Sequence, residues 1–106
     1  MDIDKFRADV AAGKRPLRIT THAQIEATKD GLLLADLKYV FEKGRVIEEY
    51  PERKRMLLCA KPPEANLPIH IVVEDSETEG VIVTAYIPAT SLWFGGVRRK
   101  RERKRK

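Results

Sequence analysis

The sequence predicts an α+β domain: N-terminal helices packed on one face of a four-stranded antiparallel meander. Three observations carry this. Apolar residues recur at helical spacing up to Gly44, the period then changes to strand-like alternation, and the four apolar segments that follow are joined by short Pro-, Gly- and Asp-containing links. Runs of helices followed by runs of strands are the pattern of α+β architecture, and short links favour a sequential antiparallel order.

The elements follow in order. Ile3, Phe6 and Val10 define the apolar stripe of a first helix that begins at Asp2 and stops at Gly13 and Pro16. Arg18-Ile19-Thr20 reads as a short extended segment. Thr21-His22-Ala23-Gln24 has the form of a capping box, with the Thr hydroxyl on the third helical amide and Gln24 reaching back. The short helix it opens closes near Asp30-Gly31. A third helix presents Leu33, Leu37, Val40 and Phe41 on one face and ends at Gly44. Strands are predicted over 45–50, 55–61, 69–74 and 81–87. Alternation places Ile69, Ile71 and Val73 on one face, with Val81, Val83, Ala85 and Ile87. His70, Val72 and Glu74 fall on the other, partly open face, with Ile82, Thr84 and Tyr86. That makes His70 and Tyr86 neighbours if their strands pair.

Composition limits the classes of function. At 106 residues the chain suits one domain, here 1–97, followed by a basic tail over 98–106. The tail holds eight bases and one acid, a net of +7, while residues 1–97 carry a net of −2. Like charges this dense predict a disordered segment that either holds nucleic-acid phosphates through Arg98, Arg99, Lys100 and Arg101 or is simply solvated. The single cysteine, Cys59, excludes an intrachain disulfide and fits a reducing compartment. Residues 1–14 lack the unbroken apolar core of a secretory signal, and no run approaches the roughly 20 apolar residues of a membrane span. The expectation is a cytoplasmic protein without membrane association. Two histidines and scattered acids form no ligand cluster, so neither metal nor cofactor is expected. Glu48 and Glu49 fall on opposite faces of one strand, and no glycine-rich phosphate loop is present.

The string Thr21-His22-Ala23, Gly31 nine residues after His22, the amphipathic helix, then Val46-Ile47-Glu48-Glu49-Tyr50, Met56-Leu57-Leu58, Pro68-Ile69-His70-Ile71-Val72-Val73 and Val81 through Tyr86-Ile87-Pro88 resembles a bacterial domain-of-unknown-function family. That family is typified by a His-Ala helix start and a later Pro-x-His-Val-Val strand. It is similar to the RelE/ParE-like superfamily of toxins from toxin–antitoxin pairs, many of them metal-independent ribonucleases. The resemblance spans 19–88. It implies a RelE-like fold, RNA and a cognate antitoxin as partners, and His22 and His70 as the characteristic histidines. Glu26 and Asp30 stand where the family pattern commonly carries arginines. Leu33 replaces a capping Ser, with Asp36 kept as the capping-box acid.

Metal-independent RNA cleavage needs a base for the 2′-hydroxyl, an acid for the departing 5′-oxygen and positive charge on the phosphate. Histidine suits both proton roles, since its ordinary pKa of about 6.5 lies near neutrality. The candidate catalytic residues are therefore His22, His70 and Tyr86, and the candidate phosphate ligands are Lys29, Arg45 and Arg55. Plainer readings stand beside them: His22 as a polar residue at a helix start, His70 as a sheet histidine holding the fold, Tyr86 as a half-buried sheet aromatic. Trp93 and Phe94 read as a cover for a core edge or as a partner contact. Two functions stay open, a toxin-type endoribonuclease and a non-catalytic interaction module binding protein or nucleic acid. A homodimer is a further expectation, because Val72 and Ile82 would need a second copy, or the segment 92–97, to cover them.

Overall fold

Phe6 shows how the N-terminal helix is fixed. The computed structural model describes residues 2–89, together with the backbone of two short strands, Trp93–Phe94 and Arg98–Arg99. Helix α1 (Ile3–Ala11) starts at Asp2, whose carboxylate accepts from the amides of Asp4 and Lys5 at 3.0 and 3.1 Å. Its Phe6 is fully buried and meets Phe41 edge to face, with ring centroids 5.3 Å apart. A Cβ added to Gly80 would lie 2.5 Å from the Phe6 ring, so the start of a strand passes too close for any side chain.

Strand β1 (Leu17–Ile19) leads into α2 (Thr21–Lys29). The cap falls one residue earlier than the spacing predicts. Thr20 Oγ1 accepts from the Ala23 amide at 3.0 Å, and Gln24 Nε2 donates to the Ile19 carbonyl at 3.1 Å. Helix α3 (Leu34–Lys43) begins at Leu33, which lies 68% exposed and outside the buried face of Leu37, Val40 and Phe41. Leucine has no oxygen to cap with, but Asp36 accepts the Leu33 amide at 2.8 Å, which is the half of the capping box that this sequence retains. The C-terminus of α3 is closed from outside. Arg7 Nε donates to the Phe41 carbonyl at 2.7 Å, and a second guanidinium nitrogen donates to Gly44. Carbonyls in the last turn have no partner within their helix, so one cation on α1 satisfies the end of α3 and locks the two helices together. Burial lowers the Arg7 pKa from its ordinary value, with Asp4 acting in the opposite direction.

The strands β2 (Arg45–Tyr50), β3 (Arg55–Ala60), β4 (Ile69–Asp75) and β5 (Gly80–Tyr86) pair antiparallel in sequence, as the short links predict. The sheet nevertheless has five strands and is mixed, not four-stranded and purely antiparallel. Its order is β1-β5-β4-β3-β2, because β1 adds to the β5 edge in parallel with Leu17 opposite Gly80. Three residues are too few to show a period, and this pairing is held by Gly80 N to Pro16 O at 2.8 Å and Thr20 N to Ile82 O at 3.1 Å.

Two irregularities in register redistribute the side chains. In β5, Val72 pairs with Thr84 but Val73 pairs with Ile82, leaving Val83 as an extra residue. Ile82 therefore joins Ala85, Ile69, Ile71 and Val73 in the core under the helices, while Val81 moves to the opposite face. This corrects the strict alternation, which assigned Val81 to the helix side and Ile82 to the open side. In β2 the extra residue is Ile47, which lets Val46 pack on the core while Glu48 faces away.

A buried cation ties the N-terminal region to the β4–β5 turn. Arg15 lies over the Phe6 ring at 4.6 Å, pairs with Asp75, and has Asp9 at 3.5 Å. Burial alone would raise the Asp75 pKa, but the Glu77 amide, Arg15 and Lys54 together hold it below the ordinary carboxylate value. A carboxyl with a depressed folded-state pKa stabilises the fold above its unfolded value and loses that effect as pH falls through the folded value. Asp75→Asn is accordingly expected to cost about 1–3 kcal/mol at neutral pH. In urea titrations the gap to wild type should persist down to about pH 4 and close below it. Arg7→Ala, which strands the last carbonyls of α3, is expected to cost about 1–3 kcal/mol in the same measurement. An unchanged midpoint would remove Arg7 from the account of how α1 and α3 are joined.

Candidate functional site on the helix-free sheet face

The sheet face turned away from the helices carries polar side chains in register, interleaved with the buried Leu57 and Val81. One row crosses four strands: Arg45 is opposite Cys59, Cys59 opposite His70, and His70 opposite Tyr86. His70 is fully buried, not set on an open face, and its Nδ1 lies 3.3 Å from the Tyr86 hydroxyl, with the rings edge to face at 5.3 Å between centroids. The donor in that contact depends on the imidazole tautomer. Burial pushes the Cys59 thiol up, and the nearby Arg45 charge counteracts this only in part. A thiol raised in this way is a poor nucleophile. Cys59 is expected to resist alkylation in the folded chain and to react fully in urea, as mass spectrometry would record; rapid native labelling would contradict its place in the row.

Further along, Tyr50 pairs with Arg55 and Arg55 with Glu74, whose carboxylate accepts from Arg55 Nε at 2.8 Å. Tyr50 donates to Glu48 on its own strand. At the β5 edge Arg18 donates to Glu79 at 2.9 Å, which raises the arginine pKa. Beside the Val83 bulge lies a cleft of about 500 Å³ lined by Tyr50, Glu52, Arg53, Arg55, Val72, Val83 and Thr84. An aromatic ring, two guanidinium groups and a hydroxyl meet there. Alternation already put Thr84 on this face, but Tyr50 and Arg53 are not among the sequence candidates. The available signal was the hairpin register, which puts Tyr50 opposite Arg55 across the turn at 51–54.

The predicted site residues separate into groups. His70 and Tyr86 are brought together, and Arg45 stands in their row. His22 is exposed in the first turn of α2, which packs along β5; no hydrogen bond or ring contact joins it to His70, and the strand bearing Tyr86 lies between them. Lys29 pairs with Glu26 on the exposed side of α2 at 3.4 Å. Arg55 is neutralised by Glu74. Of the tail candidates, Arg98 and Arg99 are described only as a strand paired with Trp93 and Phe94, and Lys100 and Arg101 lie outside the described residues. Among the described residues no group of three His, Cys, Asp or Glu side chains is placed to hold a metal ion, and no helix is long and apolar enough to cross a membrane.

A family model described as Domain of unknown function (DUF4258) matches residues 19–87, about two thirds of the chain. No curated protein matches, and no solved structure matches.

Proposed function

The chain belongs to the DUF4258 family, and from that premise we propose that it is a RelE-like, toxin-type bacterial protein directed at RNA, working through the sheet face opposite its helices. The observation that supports this reading is the row Arg45, Cys59, His70, Tyr86, which sets a cation, an imidazole and a phenol in line on one face. Arg45 is exposed and carries no ion pair among the described residues, so it is the candidate of the three best placed to meet a phosphate near that pair.

Cleavage in this reading is metal-independent. The 2′-hydroxyl of a ribose attacks the adjacent phosphorus as one group removes its proton, and the bond to the 5′-oxygen breaks as another group donates one. Tyr86, half-buried and hydrogen-bonded to His70, is the group that meets the RNA, and His70 acts through it. His22 lies across that strand from the pair and takes no step here; the departing 5′-oxygen takes its proton from water. Tyr50 in the neighbouring cleft offers a stacking surface for an unpaired base. A second reading, a non-catalytic interaction module, is favoured by the neutralisation of Lys29 and Arg55 and by the net −2 of residues 1–97.

The test is RNA binding and cleavage by wild type, His22→Ala, Tyr86→Phe and Arg45→Ala. Arg45→Ala is expected to weaken binding and to reduce the salt slope by about one. Tyr86→Phe, which keeps the ring, is expected to lower cleavage about 10²–10⁴-fold without loss of fold, and His22→Ala to leave it unchanged. Binding that depends on Arg45, with no cleavage by wild type, would select the non-catalytic module. Indifference of both binding and cleavage to Arg45→Ala and Tyr86→Phe would overturn the RNA reading.

A further inference from the structure

A second surface, which the RNA reading does not use, borders the end of the sheet that bears His70 and Tyr86, with Ile69 and Ile87 on its lining. The α2–α3 turn and the link between β3 and β4 enclose a groove of about 400 Å³. Three acids line it, Asp30, Asp36 and Glu64, and no base does. Leu33 and Leu67 on its lining are 68% and 46% exposed, and Leu34 beside it is 56% exposed. These are three of the four large hydrophobic side chains exposed among the described residues. Two of the acids are held in place: Asp36 accepts the Leu33 amide, and Asp30 accepts the Ile87 amide at 2.8 Å. Leu33 also occupies an N-cap position where Ser, Thr or Asp would be worth about 1 kcal/mol more to the helix. Local stability therefore does not account for an exposed leucine there.

The groove calls for an occupant that is cationic and carries aliphatic stems. Residues 100–106 of this same chain have that chemistry, with six bases and one acid. Lys and Arg lay their methylene stems along apolar surface while their charged ends reach polar partners, which fits leucines interleaved with carboxylates. Each exposed ion pair is worth only about 0–1 kcal/mol, too little to hold a free peptide. Tethering changes this, because a short linker raises the effective concentration to the millimolar range. Seven residues reach at most about 25 Å beyond Arg99.

We propose that this groove is the docking site of the chain's own C-terminal tail, which lies along Leu33 and Leu67 with its bases on Asp30, Asp36 and Glu64. The tail's charge is then shared between the body and any nucleic acid, and polyanions compete for it.

The proposal is tested on the full chain, ¹⁵N-labelled, with a nitroxide on Lys104→Cys in a Cys59→Ser background. At low salt the amides of Gly31, Leu33, Asn66 and Leu67 are expected to lose at least about half their intensity. At 1 M salt, where the screening length is about 3 Å, they should recover. Glu64→Lys and Leu67→Ser, both at exposed positions, are each expected to abolish the effect while leaving the rest of the amide spectrum in place. Broadening spread evenly over the surface, centred on the helix-free sheet face, or insensitive to both substitutions would overturn the proposal. So would broadening that appears only when spin-labelled unlabelled-nitrogen chains are mixed with ¹⁵N chains, since that places the tail of a second copy in the groove.

Discussion

Val83 is the residue on which the division of the sheet into two chemically different faces depends. Strict alternation along β5 would send Val81 into the core and Ile82 out. The extra residue restarts the count, so Ile82 and Ala85 both face the helices while Val81, Thr84 and Tyr86 face away. Ile47 does the same in β2 for Val46 and Glu48. A bulge leaves one residue out of the ladder and increases local twist. In return each strand places an apolar side chain on one face and a polar one on the other at positions that share a parity. Tyr86 meets His70 because this adjustment has already been made when the chain reaches position 86.

The helices depend on contacts that no local pattern displays. α3 has no side-chain cap at its start beyond Asp36, and its C-terminal carbonyls are satisfied by Arg7, more than thirty residues earlier. Gly44 lies in extended backbone, so its role is not a left-handed turn. A Cβ there would stand 2.3 Å from the Val40 carbonyl and 3.2 Å from the Leu58 side chain. The glycine is thus selected first by the Val40 carbonyl of its own helix, with β3 as the looser second contact.

The sequence made legible what depends on long periodic runs. The three helices and the segments that form β2 to β5 are all found within a residue or two of where spacing places them, and Phe6, Leu37, Val40 and Phe41 are core. The pairing of His70 with Tyr86 could also be read, since it needs only antiparallel neighbours and equal parity. Three features could not. The extended segment at 18–20 was visible, but its parallel place beside β5 was not; the bulges are invisible in a count of apolar residues, and the cap at Thr20 competes with an equally plausible Thr21. The ion pairing of Arg55 was hidden for a similar reason. Glu74 reaches Arg55 from nineteen residues away, and only the strand register reveals that this cation is already engaged.

The carboxylate of Asp30 has a consequence beyond the turn it closes. Past Ile19 no strand among the described residues lies beside the outer side of β5, and a row of unpaired backbone groups there would be a template for another chain. Instead α2 runs along it, with the Thr20 hydroxyl on the Val83 carbonyl and Asp30 on the Ile87 amide. At the far side of the sheet, β2 is the exposed border, and it is interrupted by the Ile47 bulge and carries Arg45, Glu48 and Glu49. Apart from the three-residue outer edge of β1, both borders are thereby closed to edge-to-edge addition, one by a helix and one by charge and irregularity. A small sheet whose borders are blocked in this way can be present at high concentration without growing into a fibre, and association between copies is left to side-chain surfaces.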